Sequence, residues 1–422
     1  MSLIVQKFGG TSVGSLERMK HVAERVMKTK EQGHNVVVVV SAMAGETNRL
    51  VSLAKQIQEN CEGREYDVLL ATGEQISVAL VAMWLKKLGQ PACSFLGHQM
   101  RILTDSAFSK ARILSVEGHD SIKATLRRGE VVVAAGFQGV DVHGNITTLG
   151  RGGSDTTAVA LAAALKADAC EIYTDVDGVY TADPNIVATA RKIDRIAYEE
   201  MLELASLGSK VLQIRSVELA ANHHVPIWVK NTFTDNPGTL VCHEDHEMER
   251  VVVRGVSCSR DDVLFSVRRC NNQTATVVKL FGALAKANIV VDVIVQNVAL
   301  GGHLDLSFTV PKDDLSHARE VVKSVLPAIG AEGITVNNDM AKISIVGVGM
   351  RSHAGVAAKM FAVLEAAGIS IHLISTSEIK ISCVIDRKHA ELATRVLHDA
   401  FELGQGGLSK ARVKTSEPRP KR

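Results

Sequence analysis

"IVQKFGGTSVGS", residues 4–15, sets a lysine before a glycine pair and hydroxyl residues after it. The apolar start Leu3-Ile4-Val5 predicts a buried strand, and Gly9-Gly10 lets the backbone turn tightly and approach a ligand closely. Beyond it, Thr11, Ser12 and the run Leu16, Met19, Val22, Ala23, Val26 predict a capped amphipathic helix whose N-terminal amides face the turn. Phosphate is the natural guest of such a turn. Two familiar spellings fail, however: a P-loop carries its lysine after the second spaced glycine, and the dinucleotide fingerprint reads G-x-G-x-x-G, whereas the order here is G-G-T-S-V-G. Taken alone, the stretch is equally a plain strand-to-helix joint with Lys7 in solvent, and the rest of the chain must decide.

A chain of 422 residues exceeds one ordinary core, so two or three domains are expected; 46% hydrophobic and 22% charged residues fit a globular protein. The formal net charge is +2, but residues 404–422 hold six basic residues against the single acid Glu417. Taking six from 48 and one from 46 leaves 42 basic and 45 acidic residues, a balance of −3. The basic character thus sits partly in a tail expected to be disordered, and no nucleic-acid partner is expected. The N-terminus lacks a charged stretch followed by an apolar one, and nowhere do 18 apolar residues follow one another, so a cytoplasmic location without membrane contact is expected. Seven cysteines without a C-x-x-C pair read as reduced residues rather than a disulfide framework or zinc site. "HEDHE" at 243–247 misses the H-E-x-x-H spelling because Glu247 stands where the second histidine belongs, so no metal site is assigned. The pair His223-His224 reads as a helix end before a strand at 225–229.

Strand-like runs at 36–40, 131–135, 172–173 and 226–229 alternate with helical patterns, one of them near 46–59, which predicts a largely parallel sheet covered by helices. Ligands in such sheets sit at the carboxyl ends of the strands. The segments expected there are polar and glycine-rich: "SAMAGET" at 41–47, "GFQG" at 136–139, "LGRGGSDTT" at 149–157 and "TDVDGVYTADP" at 174–184. Beyond about residue 248 the texture changes, and "FGALAKANIVVDVI" (281–294) returns as "FAVLEAAGISIHLI" (361–374). Phe281/Phe361, Leu284/Leu364, Ala287/Ala367, Ile289/Ile369 and Ile294/Ile374 coincide, so two small α+β modules, each a helix running into a strand, are expected. A structural or dimerising pair would satisfy the repeat without any ligand.

The second glycine loop, "LGRGG", feeds an alanine-rich helix at 158–165 and offers a second anion-ready helix start. Arg151 presents a planar fork suited to carboxylate or phosphate, while Asp155 either complements the helix dipole, orients Lys7 or holds a metal. Asp175, Asp177 and Asp183 surround Gly178 without the EF-hand spacing; they read as Asx turns or as groups serving Mg²⁺ and ribose beside a nucleotide. Lys210 and Arg215 offer further positive charge, or are surface residues of a helix. Phosphoryl transfer needs positioning and cancellation of charge by cations, amides and Mg²⁺ rather than a nucleophile built into the protein, and these loops supply such groups.

Together "KFGGTSV" (7–13), "SAM" with Thr47, "ATGEQIS" (71–77), "GFQG", "GRGGSDTTA", "YTDVDGVYTADP", "YEEMLELASLGSKVL" (198–212) and "NPGTLV" resemble the motifs of the aspartate kinases, within the amino acid kinase superfamily, to about residue 403. The resemblance implies a three-layer αβα sandwich with a largely parallel sheet, followed by two ferredoxin-like α+β ACT domains. It divides the chain into a catalytic domain at 1–245, a first ACT unit at 265–340, a second at 250–264 plus 341–403, and the tail at 404–422. The implied reaction is ATP plus L-aspartate giving ADP and 4-phospho-L-aspartate, with Mg²⁺, in a homodimer or higher homo-oligomer controlled by lysine and/or threonine. By the same resemblance Lys7, Glu74 and Asp155 are catalytic; Ser41, Thr47, Glu74, Arg151, Gly152, Gly153 and Ser154 bind substrate. Lys7, Phe8, Gly9, Gly10, Thr174, Asp175, Tyr180, Asp183, Pro184, Ser209 and Lys210 bind the nucleotide, with the hydroxyls of Thr11 and Ser12 near its phosphates. Asn272, Gln296, Asn297, Val356, Ser377 and Glu378 are the candidate effector contacts.

Three departures stand out. Asn185 replaces the arginine that usually follows Asp-Pro, which removes one nucleotide contact, and "LQIRSVE" replaces the commoner "LHPRSVE". "CNNQTATV" stands where the first ACT unit usually carries Asp-x-Pro-Gly, so effector binding at Asn272 is expected to be weakened or altered. The competing readings are another small-molecule kinase of the superfamily, opposed by the Glu74/Arg151 pair and the ACT repeat, and a catalytically silent amino-acid sensor, opposed by intact Lys7, Glu74, Arg151 and Asp155.

Overall fold

The computed structural model describes residues 2–59, 61–206, 211–246, 248, 250–298 and 302–405. The elements of the N-terminal part run β1 (Leu3–Phe8), α1 (Leu16–Glu31), β2 (Asn35–Val40), α2 (Glu46–Ile57), α3 (Arg64–Lys87), β3 (Ala92–Phe95), β4 (Ile102–Thr104), β5 (Ile113–Val116), α4 (His119–Arg127) and β6 (Val131–Ala135). They continue with β7 (Gln138–Val140), β8 (Ile146–Thr148), α5 (Gly153–Leu165), β9 (Ala169–Thr174), β10 (Arg195–Ala197), α6 (Tyr198–Ser206), α7 (Ile214–His223), β11 (Ile227–Asn231) and β12 (Thr239–Cys242). Eight strands form one sheet in the order β10-β12-β11-β9-β1-β2-β6-β3, parallel throughout except for the β11–β12 pair.

Why the strands read as unbroken apolar runs is visible in the core. Along β2 and β6, Val37, Val39, Val132 and Ala134 pack with α4, α5 and α7, while Val36, Val38, Val40, Val131, Val133 and Ala135 pack with α1 and α3. Period-two alternation therefore buries both faces, and three layers result. The same alternation aims Lys7 to the α5 side, beside Val5 and opposite Val39 and Ile172. Helix α5 is buried nearly all round, which its alanines permit between the sheet and α7. Helix α3 is long and apolar enough to cross a membrane by length and composition, yet its buried residues include Asp67 and Glu74 and pack on α1 and the sheet. A small sheet, β5-β4-β7-β8, leads into the second glycine loop.

The C-terminal part adds β13 (Gly255–Ser259), β14 (Asp262–Asn271), α8 (Thr274–Lys286), β15 (Ile294–Val298), β16 (His303–Pro311), α9 (Leu315–Ile329), β17 (Gly333–Asn337), β18 (Met340–Val346), α10 (Val356–Ala366), β19 (Ile371–Thr376), β20 (Lys380–Asp386) and α11 (Ala390–Ala400). Two antiparallel sheets result, β15-β16-β14-β17 and β13-β18-β20-β19. The repeat is structural: Leu284 and Leu364 are buried on α8 and α10, and Ile289 and Ile369 are buried just before β15 and β19. One expectation needs correction. Residues 262–264 were expected with the second unit, but they begin β14 in the first sheet, because the chain turns at 260–261 after β13 has paired with β18. Lys342 of β18, only 3% exposed, pairs with Asp262 and Asp292, and Leu264, Val293, Met340 and Val384 pack together, so the two sheets share an apolar seam and a buried ion pair.

Candidate active site

Lys7 and Asp155 meet at 2.6 Å, with side chains 11% and 9% exposed. Asp155 lies in the first turn of α5, where a carboxylate suits the helix dipole, so the pair ties the end of β1 to a helix start. The β1 turn folds back between neighbours: the Gly9 amide donates to the Tyr173 carbonyl, and the Ala44 amide to that of Gly10. A Cβ on Gly10 would lie 2.9 Å from the Ala42 carbonyl oxygen, so two loop backbones touch there and only glycine fits. Phe8 stacks on Tyr173 with ring centroids 4.7 Å apart, and Ser41 donates its amide to the Phe8 carbonyl.

Glu74 sits mid-α3, 3% exposed. Its Oε1 accepts the Ala42 amide at 2.9 Å, and its Oε2 has no hydrogen-bond partner among the described residues. Burial pushes its carboxyl up to about 7 against the opposing pull of that amide. Gly152 adopts a left-handed conformation, φ +70°, and a Cβ there would lie 1.7 Å from the Gln213 side chain, so glycine and "LQIRSVE" fit together. A Cβ on Gly136 would press Ser154, which brings the "GFQG" loop against the start of α5; the next residue, Phe137, also holds positive φ, 69°. Arg151 is exposed and has no ion-pair or hydrogen-bond partner among the described residues. Thr47 lies half-buried in the first turn of α2.

On the other flank, Asp175 accepts from the Thr174 hydroxyl, and Asp183 caps its own turn through Asn185. Pro184 lies exposed in that turn, and Tyr180 is half-buried and bridged to Lys192. Asp177 is fully engaged, accepting from Asn231, Thr234 and Asn236. Ser209 and Lys210 lie outside the described residues. Among the described residues no three His, Cys, Asp or Glu side chains are grouped as a metal would need. Cys170, Cys270 and Cys383 are buried thiols whose burial holds them above the ordinary range, so none is a nucleophile.

Several expectations change here. Ser15, not Thr11 or Ser12, caps α1, its hydroxyl accepting the Arg18 amide. Ser12 is buried and bonded to Thr232 at 2.6 Å, so its hydroxyl joins β1 to β11 rather than facing a phosphate. Arg215 is no free cation: it donates to the carbonyls of Leu149 and Ala111 and so braces the second glycine loop. Asp67 escaped the reading altogether. Fully buried on α3, it accepts the amides and hydroxyls of Ser109 and Thr148, and thereby fixes β8 immediately before the Arg151 loop. The available signal was a carboxylate inside an apolar helix.

The regulatory candidates are at element ends and edges. Asn272 is exposed between β14 and α8, Gln296 and Asn297 are exposed on edge strand β15, and Val356 opens α10. Ser377 and Glu378 lie in the exposed β19–β20 turn, where the Glu378 carboxylate is 3.4 Å from Arg351.

The amino acid kinase family matches residues 2–231, more than half of the chain, and the ACT domain matches residues 343–401. The aspartokinase of Pseudomonas aeruginosa is 56% identical over 405 residues, covering 96% of this chain and 98% of that protein. The aspartokinase of Bacillus sp. strain MGA3 is 47% identical over 98% of this chain and 100% of its own length. Among solved structures, E. coli aspartokinase III with aspartate and ADP, titled the R-state, superposes with a TM-score of 0.80 at 27% identity, covering 94% of this chain and 99% of that one. The same enzyme with lysine and aspartate, titled the T-state, gives 0.74 at 26% identity over the same shares.

Proposed function

The chain belongs to the aspartate kinases of the amino acid kinase family, and from that premise we propose how its side chains divide the work of phosphorylating the β-carboxylate of L-aspartate with ATP. The observation that carries the reading is the pairing of Lys7 with Asp155 at the joined ends of β1 and α5. Asp155 holds the ammonium in place, and Lys7 stabilises the charge that spreads over the transferred γ-phosphoryl group. The β-carboxylate, with an ordinary pKa of about 3.9, is already an ionised nucleophile at neutral pH, so no general base is needed. What opposes the reaction is repulsion between two anions, and the Gly10 amide beside Lys7 reduces it further, while Gly9, whose amide is held by the Tyr173 carbonyl, keeps the turn close to the phosphates.

Aspartate is a zwitterion and needs a clamp for each end. Glu74, with one oxygen committed to Ala42 and the other without a hydrogen-bond partner among the described residues, receives the α-ammonium. Arg151, with the amides of Gly152 and Ser154, receives the α-carboxylate; the Gly153 amide donates to the Gly150 carbonyl and shapes the loop, and Ser41 and Thr47 complete the pocket. Phe8, Thr174, Asp175, Tyr180, Asp183, Pro184, Ser209 and Lys210 hold the nucleotide. Mg²⁺ would arrive on the triphosphate and keep most of its waters. Bound there, it would offset phosphate charge alongside Lys7.

The two C-terminal sheets form ACT units at residues 262–337 and at 250–259 plus 340–403, which carry amino-acid feedback and assembly into a homodimer or larger. Val356, Ser377 and Glu378 are the lysine contacts of the second unit. Asn272, Gln296 and Asn297 belong to the first, whose amide at 272 pairs only weakly with an effector ammonium.

The test is ADP release with ATP, Mg²⁺ and L-aspartate, with the acyl phosphate trapped as its hydroxamate and lysine and threonine added singly and together. Lys7→Ala should lower kcat by at least about 100-fold, the cost of removing one preorganised charge donor. Turnover with another acid but not with aspartate would move the substrate and refute the assignment of the clamp.

A further inference from the structure

The loop that carries Tyr180 and Asp183 is held from the regulatory half of the molecule. Thr181, between them, is 5% exposed, and its carbonyl accepts the Val256 amide of β13, a strand of the second regulatory sheet. Its hydroxyl accepts the Arg191 amide and lies 3.0 Å from Nε2 of His398 on α11, the last helix of that half. Arg191 in turn donates from Nε to the Leu403 carbonyl just past α11. His398 is fully buried; its Nδ1 lies 3.9 Å from the Asp399 carboxylate, too far for a hydrogen bond, so its one side-chain hydrogen bond among the described residues runs through Nε2. In the interior, loss of the bond between Nε2 and Thr181 would leave both groups short of a partner, so this bond holds the loop to α11.

We propose that His398 is a positioning residue for nucleotide binding: through its bond to the Thr181 hydroxyl, the last regulatory helix fixes the loop on which Tyr180 and Asp183 meet ATP. His398 touches neither substrate. Its effect is conformational: with the bond intact the loop is preorganised, and without it part of the binding energy is spent ordering the loop. The inference rests on the nucleotide assignment made above and names the residue that extends it across the two halves.

The test measures KM for each substrate, together with ATP binding by calorimetry, on the full chain. Thr181→Val and His398→Leu should each raise KM for ATP and weaken ATP binding about threefold to tenfold, the worth of one buried hydrogen bond, while KM for aspartate stays within about twofold. The double variant should be no worse than Thr181→Val alone, because that change already removes the bond to His398 together with the one from the Arg191 amide. Thr181→Ser and His398→Gln, which keep a hydroxyl and a side-chain amide at those places, should restore ATP binding; they also report if the apolar variants fail to fold. Unchanged ATP affinity in folded Thr181→Val and His398→Leu, equal shifts for both substrates, or additive losses would overturn the proposal. If wild-type protein bound ATP but did not phosphorylate aspartate, the substrate assignment would fail while the binding arm still decided the role of His398.

Discussion

Glu74 is the residue whose environment makes the sharpest prediction. Its carboxyl is raised from 4.5 to about 7 by burial in the substrate-free protein. The folded state therefore binds the proton more tightly than the unfolded chain, so this group's penalty on stability is absent below about 4.5 and grows as pH rises through about 7. Substrate reverses the preference, because an ammonium beside Glu74 favours the carboxylate. Aspartate binding below pH 7 must then release a proton, and kcat/KM for aspartate should fall about tenfold per pH unit below about 7, with little change in KM for ATP. Glu74→Gln should remove that limb of the profile and leave a low, flat one. A wild-type profile without an aspartate-specific limb near 7 would show that Glu74 does not meet the ammonium. Lys7 and Arg151 were legible as charges beside glycine turns. Asp67 and the true bonding of Ser12 and Arg215 were not, since local sequence gives no account of which distant carbonyl or hydroxyl a side chain will reach.

At the scale of the element, the second glycine loop depends on two braces that neither touch substrate nor lie near one another in sequence. Asp67 on α3 holds Ser109 and Thr148, and Arg215 on α7 holds Leu149 and Ala111. Replacing the carboxylate by an amide of the same shape removes an ionised acceptor that serves four donors. Asp67→Asn should lower stability by about 3 kcal/mol, read from thermal unfolding, and should raise KM for aspartate more than KM for ATP, because the strand it anchors leads into the Arg151 loop. Equal effects on the two substrates would assign Asp67 to stability alone. The elements themselves were readable: valine runs announced β2 and β6, and the alanine-rich stretch announced α5, because burial on both faces or all round leaves its mark in composition. Boundaries were less so. The α1 cap fell at Ser15, and residues 250–264, expected in one unit, divided between β13 and β14 in different sheets, since a two-residue turn weighs little in the local pattern.

For the whole molecule, the kinase and regulatory halves interlock through buried polar contacts rather than a loose tether. Glu200 on α6 is fully buried and accepts the amides of Ala197 and Val348, with Arg254 3.4 Å away, so the start of the turn preceding α10 is fixed to the kinase half. Feedback control has a matching prediction. Asn272→Asp restores a charge at the mouth of the first unit and should tighten threonine binding about fivefold to tenfold by calorimetry, with lysine binding unchanged. Tight threonine binding by the wild-type chain would contradict the weakened first unit.

What the sequence determined by itself was the period: two-residue alternation with doubly buried strands, glycine turns leading to helix starts, an 80-residue echo, and charged residues placed beside the turns. These follow from local sterics and burial, which act along a few residues at a time. Tertiary structure alone decided the partners. That Asp155 meets Lys7 across 148 positions, that Ser12 meets Thr232, and that His398 reaches Thr181 from the opposite half depend on how strands order themselves in a sheet and which helices cover it. Hydrogen bonds and ion pairs act over about 3 Å, and only the packed chain brings groups so far apart in sequence within that reach.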